Sequence, residues 1–302
     1  MDWTKDIKRA RYGMMENISI EQLNKKFPQL ENITKLKTGG QKVVYDAVHA
    51  EHGNIVLKIV LHDGNDPRIL REIELVKNNA FPNVPSIYDV GTVGLNSSSF
   101  IYIFEQGVTG TDLRTILDTE GKLPLPVILK FLGSTLNTVV KLEDQGIVHR
   151  DIKPDNILCD DQGNYWLIDF GIARDLRNVS LTATSANFGP HTAGYAAPEQ
   201  YRNLKRLIDS RTDLFSIGVV AYEMIHGFNP FTKGANSIID VYMKTESFLE
   251  DPLAIPGDKN NELAGFIQTL MQKNHTFRPP TAKMAFSWFK EVIKTLSQEN
   301  KQ

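Results

Sequence analysis

The chain has 302 residues, of which 41% are hydrophobic and 23% charged, with a formal net charge of −2. That length allows two lobes or two small domains, and the near-neutral charge supplies no strongly basic field for nucleic acid. A single cysteine, Cys159, excludes an internal disulfide framework and a cysteine-rich zinc site and suits a reducing compartment. The first residues, Met1 to Asp6, lack the apolar core of a signal peptide, and no uncharged apolar run is long enough to span a bilayer. The richest run, Leu214 to Ile225, contains Glu223 and reads as a buried core helix. The expectation is a cytoplasmic protein.

Residues 1–30 are polar, with basic Lys8, Arg9 and Arg11. Ser19 and Gln22 form a capping-box pattern that opens a short helix, which Pro28 ends. The segment reads as an extension packed on the main domain. From about 31 to 104 β signals dominate: 43–48 and 55–60 are β-branched runs with Gly53-Asn54 in the turn between them, which predicts a hairpin. Asp66-Pro67 opens a helix through 71–76, and 100–104 is a further apolar strand. After Gly110 the spacing becomes helical, with segments at 127–132 and 136–142 and later helices near 213–226, 261–273 and 281–296. A β-rich half followed by a helical half predicts an α+β fold of two lobes around a cleft, the default place for a ligand.

Two motifs carry the chemistry: His149-Arg150-Asp151-Ile152-Lys153-Pro154-Asp155-Asn156, and Asp169-Phe170-Gly171 after the short strand 165–168. With them the chain resembles the eukaryotic-type (Hanks-type) serine/threonine protein kinases over roughly residues 31–291, in the family's motif order. The resemblance implies the two-lobed kinase fold: a β-rich lobe at about 31–104, a hinge at about 105–111, a mainly helical lobe at about 112–291 and a polar tail at 292–302. It also implies ATP and Mg2+, with Mn2+ an alternative, as cofactors, and protein substrates bearing Ser or Thr as partners. Neither nucleic acid nor membrane is indicated, and oligomeric state is not legible.

The resemblance then assigns roles. Asp151 would orient the substrate hydroxyl, Lys153 would neutralise the transferring phosphate, and Asn156 and Asp169 would supply hard oxygens to the metal. Lys58 would reach the α- and β-phosphates, held by Glu72, which is preferred over Glu74. Val44 and Val56 would roof the adenine slot, with Leu36 beside them and Leu158 as its floor. Glu105 to Gly107 would give backbone contacts, Phe104 would be the gatekeeper and Asp112 would bind ribose. This linker looks about one residue longer than the common pattern. Phe170 and Gly171 complete the second motif, with Phe170 packed on His149. Glu199 and Arg278 would form a buried ion pair, and Asp213 would brace the catalytic loop, with Gly218 further along the same helix.

The phosphate-covering loop departs from the family pattern. Lys37 and Lys42 replace glycines, leaving Gly39 with Gly40 beside it. Ordinary drift is the preferred reading; Lys42 meeting the phosphates and weakened nucleotide binding are the alternatives. His191 also stands where the family often has glycine, although Thr192 matches the threonine that, with Lys153, points to Ser/Thr specificity. Arg150 beside Asp151, together with Ser180, Thr182, Thr184 and Ser185, suggests autophosphorylation of the segment before Ala197. The rival functions are a pseudokinase scaffold that binds nucleotide without catalysis, favoured by the irregular loop, and a small-molecule phosphotransferase, disfavoured by Ala197-Pro198-Glu199.

Overall fold

The computed structural model describes residues 17–39, 42–61, 73–169, 193–247 and 253–299. It divides into two compact units, one of residues 1–80 with 85–108 and the other of residues 81–84 with 109–302. The fold class is α+β, as the sequence implied.

The first unit is built on an antiparallel sheet of β1 (Leu30–Gly39), β2 (Lys42–His49), β3 (Gly53–Leu61), β4 (Ile87–Leu95) and β5 (Ser98–Gln106), in the order β1-β2-β3-β5-β4. The predicted hairpin is β2–β3, with Gly53 (φ +68°) opening β3. Side chains alternate across a strand, so register fixes the faces. Val43, Tyr45 and Ala47 stand opposite Ile59, Leu57 and Ile55. These form one buried face, which Phe100 and Phe104 extend.

Helix α1 (Ile20–Lys26) belongs to that core. Ser19 Oγ accepts Gln22 N–H at 3.2 Å and Gln22 Oε1 accepts Ser19 N–H at 3.0 Å, the capping box expected from sequence. Leu23 is fully buried, and the Phe27 ring lies edge-on to Tyr102 and Phe104 at centroid distances of 5.1 and 5.4 Å. Gln22 Nε2 also donates to Asn96 Oδ1 at 2.7 Å. Residues 17–29 therefore join the first unit's hydrophobic core through Ile18, Leu23 and Phe27.

The second unit contains a small sheet, β6 (Thr111–Asp112), β7 (Ile157–Cys159) and β8 (Tyr165–Leu167), in that order. Its helices are α2 (Leu113–Glu120), α3 (Leu125–Asp144), α4 (Pro198–Tyr201), α5 (Ser210–His226), α6 (Ile238–Ser247), α7 (Glu262–Leu270) and α8 (Ala282–Glu299). The apolar run seen in the sequence becomes α5, buried along nearly its whole length. Gly218 on α5 lets α7 approach, since a Cβ there would lie 2.8 Å from Met271 Cγ and 2.9 Å from Leu270 Cβ. Among the described residues, α3 is long and apolar enough to cross a membrane by length and composition, but it carries Lys130 and Lys141 and buries Phe131, Leu132 and Leu136 in the core.

Residues 81–84 join this unit, an arrangement the sequence did not suggest. Pro82 O accepts from Thr138 Oγ1 at 2.9 Å, Asn83 O accepts from Leu167 N–H at 2.8 Å, and Val84 is buried in the core. The division between units falls between 108 and 109, inside the segment 105–111 expected to be the hinge.

Candidate active site

The loop of residues 149–156 lies between α3 and β7. A 3-10 turn, Pro154–Asn156, folds it back on itself. Asn156 Nδ2 donates to the Asp151 carbonyl and to Asp151 Oδ2, both at 2.9 Å. Two acceptor oxygens facing one nitrogen fix the amide's orientation, so Asn156 Oδ1 points the other way as a neutral oxygen donor. Lys153 Nζ lies 3.3 Å from Asp151 Oδ2, with both side chains partly exposed. An acceptor carboxylate, an ammonium group and an amide oxygen thus share one short loop. Ile168 N–H donates to Asn156 O at 2.9 Å, tying the segment that leads into Asp169 to the same loop. Asp169 itself has φ +60°, a backbone region rare for side chains other than glycine.

The loop is anchored from below. Asp213, fully buried on α5, accepts N–H of His149 and of Arg150, both at 2.8 Å. Burial pushes its pKa up to about 7, while the two N–H bonds and the Arg150 charge pull it down. Arg150 has φ +65°, and its carbonyl accepts from Gln200 Nε2 at 2.9 Å. Sequence reasoning missed Gln200; its place directly after Glu199 was the available signal.

Glu199 and Arg278 form the buried pair expected from sequence, at 2.7 and 3.1 Å, and Thr212 Oγ1 donates to the same carboxylate at 2.9 Å. A second buried group was not foreseen: Arg114 Nη1 donates to Glu223 Oε1 at 2.9 Å, and the Tyr195 hydroxyl bonds both Arg114 and Glu223. Burial works against the Arg114 charge, but Glu223, with Asp155 nearby, holds its pKa above the usual value. Burial first, and then Glu223, raises that of Tyr195.

In the first unit, Lys58 stands opposite Val44 on β2 and Ile103 on β5, while Val56 stands opposite Glu105. Period-2 alternation puts Val44, Val56, Lys58, Ile103 and Glu105 on one face. Lys58 and Glu105 are diagonal neighbours and form an ion pair, with side chains 7% and 13% exposed. The structure therefore adds a role for the Glu105 side chain, which sequence reasoning used only for its backbone. Phe104, expected as gatekeeper, lies on the opposite face at 1% exposure among Phe27 and Tyr102. One residue of register decides this, and it makes Glu105 the residue beside Val56 on the Lys58 face.

Leu36 is 58% exposed and sits in a β-bulge between Lys35 and Lys37. Gly39 ends β1 opposite Lys42. The N–H groups of Gln106 and Gly107 are committed to Ser86 O at 2.8 Å and Asn54 O at 3.0 Å. Backbone recognition through these two residues would therefore rest on their carbonyls. In the second unit, Asp112 caps α2, accepting Thr115 N–H and Oγ1–H at 2.9 Å each. Leu158 is half-buried on β7, paired with Trp166. Gly40, Glu72, Phe170, Gly171, Ser180, Thr182, Thr184, Ser185, His191 and Thr192 lie outside the described residues.

A protein kinase domain family model matches residues 30–289. The chain belongs to the protein kinase domain family. It is 36% identical over 231 residues to "Probable serine/threonine-protein kinase PknB" of Bifidobacterium longum, covering 72% of this chain and 33% of that protein. It is 32% identical over 251 residues to "Probable serine/threonine-protein kinase CPE1738" of Clostridium perfringens, covering 81% and 35%. To "Serine/threonine-protein kinase PknB" of Mycobacterium leprae it is 31% identical over 217 residues, covering 70% and 33%. The chain spans about a third of the length of these curated relatives.

Proposed function

We propose that this chain transfers the γ-phosphate of ATP to serine or threonine hydroxyls of proteins. The observation that carries the reading is the Asp151–Lys153–Asn156 cluster, closed by hydrogen bonds within one turn and braced by Asp213. Phosphoryl transfer demands positioning and charge stabilisation rather than covalent chemistry. Asp151 Oδ2, fixed by Asn156, is placed to accept a substrate hydroxyl's hydrogen bond and align the oxygen for attack. Lys153, 3.3 Å away, supplies positive charge for the phosphoryl oxygens beside that carboxylate. Lys58 offers a second cation in the first unit, steadied by Glu105.

The donor chemistry of the second unit fits a hard divalent cation. Asn156 Oδ1 and the Asp169 carboxylate are oxygen ligands, few in number, as magnesium prefers when phosphates and water complete its shell. Bound there, magnesium would neutralise phosphate charge; manganese has the same hard-oxygen preference. The relatives' names say serine/threonine-protein kinase, which supports protein hydroxyls as acceptors. Autophosphorylation at Thr182, Thr184 or Ser185 and a cytoplasmic setting complete the reading. The test is phosphoamino-acid analysis and phosphosite mapping after incubation with Mg-ATP and casein. Phosphoserine or phosphothreonine is expected, with sites inside 180–192; phosphotyrosine alone would overturn the Ser/Thr assignment, and no site inside 180–192 would overturn the autophosphorylation.

A further inference from the structure

We infer that Gln200 is a positioning residue for Asp151, acting through the peptide that joins Arg150 to Asp151. This deepens the kinase reading and rests on it. The link is direct. Gln200 Nε2 donates to Arg150 O at 2.9 Å, and Gln200 Oε1 accepts Ala197 N–H at 3.0 Å. Both partners are backbone groups of fixed polarity, so the amide's orientation is forced.

Arg150 needs the grip. Its φ of +65° is unfavourable for a residue with a side chain, and such a conformation persists only where surrounding contacts over-determine it. Asp213 holds the Arg150 N–H at 2.8 Å, on the near side of the strained residue. On the far side, the Arg150–Asp151 peptide is held at both ends. Its oxygen takes the Gln200 bond at 2.9 Å, and its N–H faces His149 Nδ1 at 3.4 Å. The plane of that peptide sets where the Asp151 side chain leaves the backbone. Gln200 supplies its shorter contact.

The mount behind Gln200 is rigid. Its neighbour Glu199 is 3% exposed and is locked by Arg278 and Thr212. Few side chains could replace it. The position needs a donor and an acceptor on one terminus at this reach. Glutamate at neutral pH has no donor, methionine has no donor and only a weak thioether acceptor, and asparagine is one methylene short.

Gln200→Glu separates the two halves of the role. An ionised carboxylate still accepts Ala197 N–H but repels Arg150 O; once protonated it can donate again. Gln200→Met removes both bonds. For Gln200→Glu at about pH 8, kcat for phosphate transfer to casein should fall about tenfold, with KM for Mg-ATP within about twofold and the melting temperature nearly unchanged. The deficit should shrink as pH falls toward the ordinary glutamate range, about 4.5–5, and the new carboxyl regains part of its proton. Gln200→Met should show a similar loss with no such recovery, and a lower melting temperature. Gln200→Glu turnover within about twofold of wild type at pH 8 would overturn the inference. So would a loss of turnover that tracks a loss of stability and ignores pH. Failure of the wild-type chain to transfer phosphate would overturn the kinase reading and this role with it, whereas robust wild-type transfer that survives Gln200→Glu would overturn the role of Gln200 alone.

Discussion

Replacing Arg278 with methionine should be among the most destabilising single changes in the second unit. All five guanidinium N–H groups are used. Nε donates to Gln272 O at 2.7 Å, and Nη1 and Nη2 reach the two Glu199 oxygens at 2.7 and 3.1 Å. The remaining two go to Arg211 O at 3.0 Å and Lys273 O at 3.3 Å. The guanidinium carbon also lies 4.8 Å from the Phe215 ring centroid. Methionine fills much of the volume, so the loss is electrostatic and polar rather than a cavity. It strands the Glu199 carboxylate, 3% exposed, with the Thr212 hydroxyl still donating to it. Breaking a buried pair from one side costs about 3–5 kcal/mol. For a unit of this size each kcal/mol moves the melting temperature by about 2–4 °C, so a drop of roughly 6–20 °C is expected. Urea and thermal denaturation followed by circular dichroism would measure it. Adding Glu199→Met removes the stranded charge and should recover about 2 kcal/mol or more. A cost below about 1 kcal/mol for Arg278→Met, or a double variant as unstable as the single one, would refute this reasoning.

Phe27→Ala should cost about 3–5 kcal/mol, measured by denaturant titration, because the ring is buried against Tyr102 and Phe104; an unchanged midpoint would show that residues 17–29 are not part of the core. Asp213 has a folded-state pKa near 7, above its unfolded value of about 4, so the folded state holds the proton more tightly. Its contribution to stability is therefore fully present below about pH 4 and is lost as pH rises through about 7. Against Asp213→Asn, which does not titrate, wild type should lose relative stability over that window by at most one proton's worth, about 1.4 kcal/mol per pH unit. Denaturation midpoints across pH 4–8 would show it, and a relative gain with rising pH would contradict the assigned direction.

Much of the candidate site in the second unit was readable because its residues are nearly contiguous. One loop carries Asp151, Lys153 and Asn156, so their meeting needed a tight turn and no long-range packing. The capping box at Ser19 and Gln22 was legible for the same reason. What escaped depends on parity and on distance in sequence. Phe104 and Glu105 are neighbours, yet the pleat sends them to opposite faces, which the β3–β5 register fixes. Residues 81–84 join the second unit through two hydrogen bonds to remote segments, with no compositional mark. Arg114, Tyr195 and Glu223 meet from three separate stretches of chain, and Gln200 finds Arg150 across 50 positions. Asp112 shows the opposite hazard: a residue assigned to a ligand by resemblance is also the cap of α2, through Thr115 N–H and Oγ1–H.

The central claim is that Asp151 directs phosphate from ATP to a protein hydroxyl. The most direct measurement is transfer of radiolabel from Mg-ATP to casein by the wild-type chain, beside Asp151→Asn and Lys58→Ala, with Mg-ATP binding to each followed by thermal shift. The account predicts label on serine or threonine in the wild type, loss of transfer by at least about a hundredfold in Asp151→Asn, and retained nucleotide binding in that variant. Wild-type nucleotide binding without any transfer would contradict it and favour a nucleotide-responsive scaffold. Transfer that persists in Asp151→Asn would show that the Asp151 loop is not the centre of the chemistry.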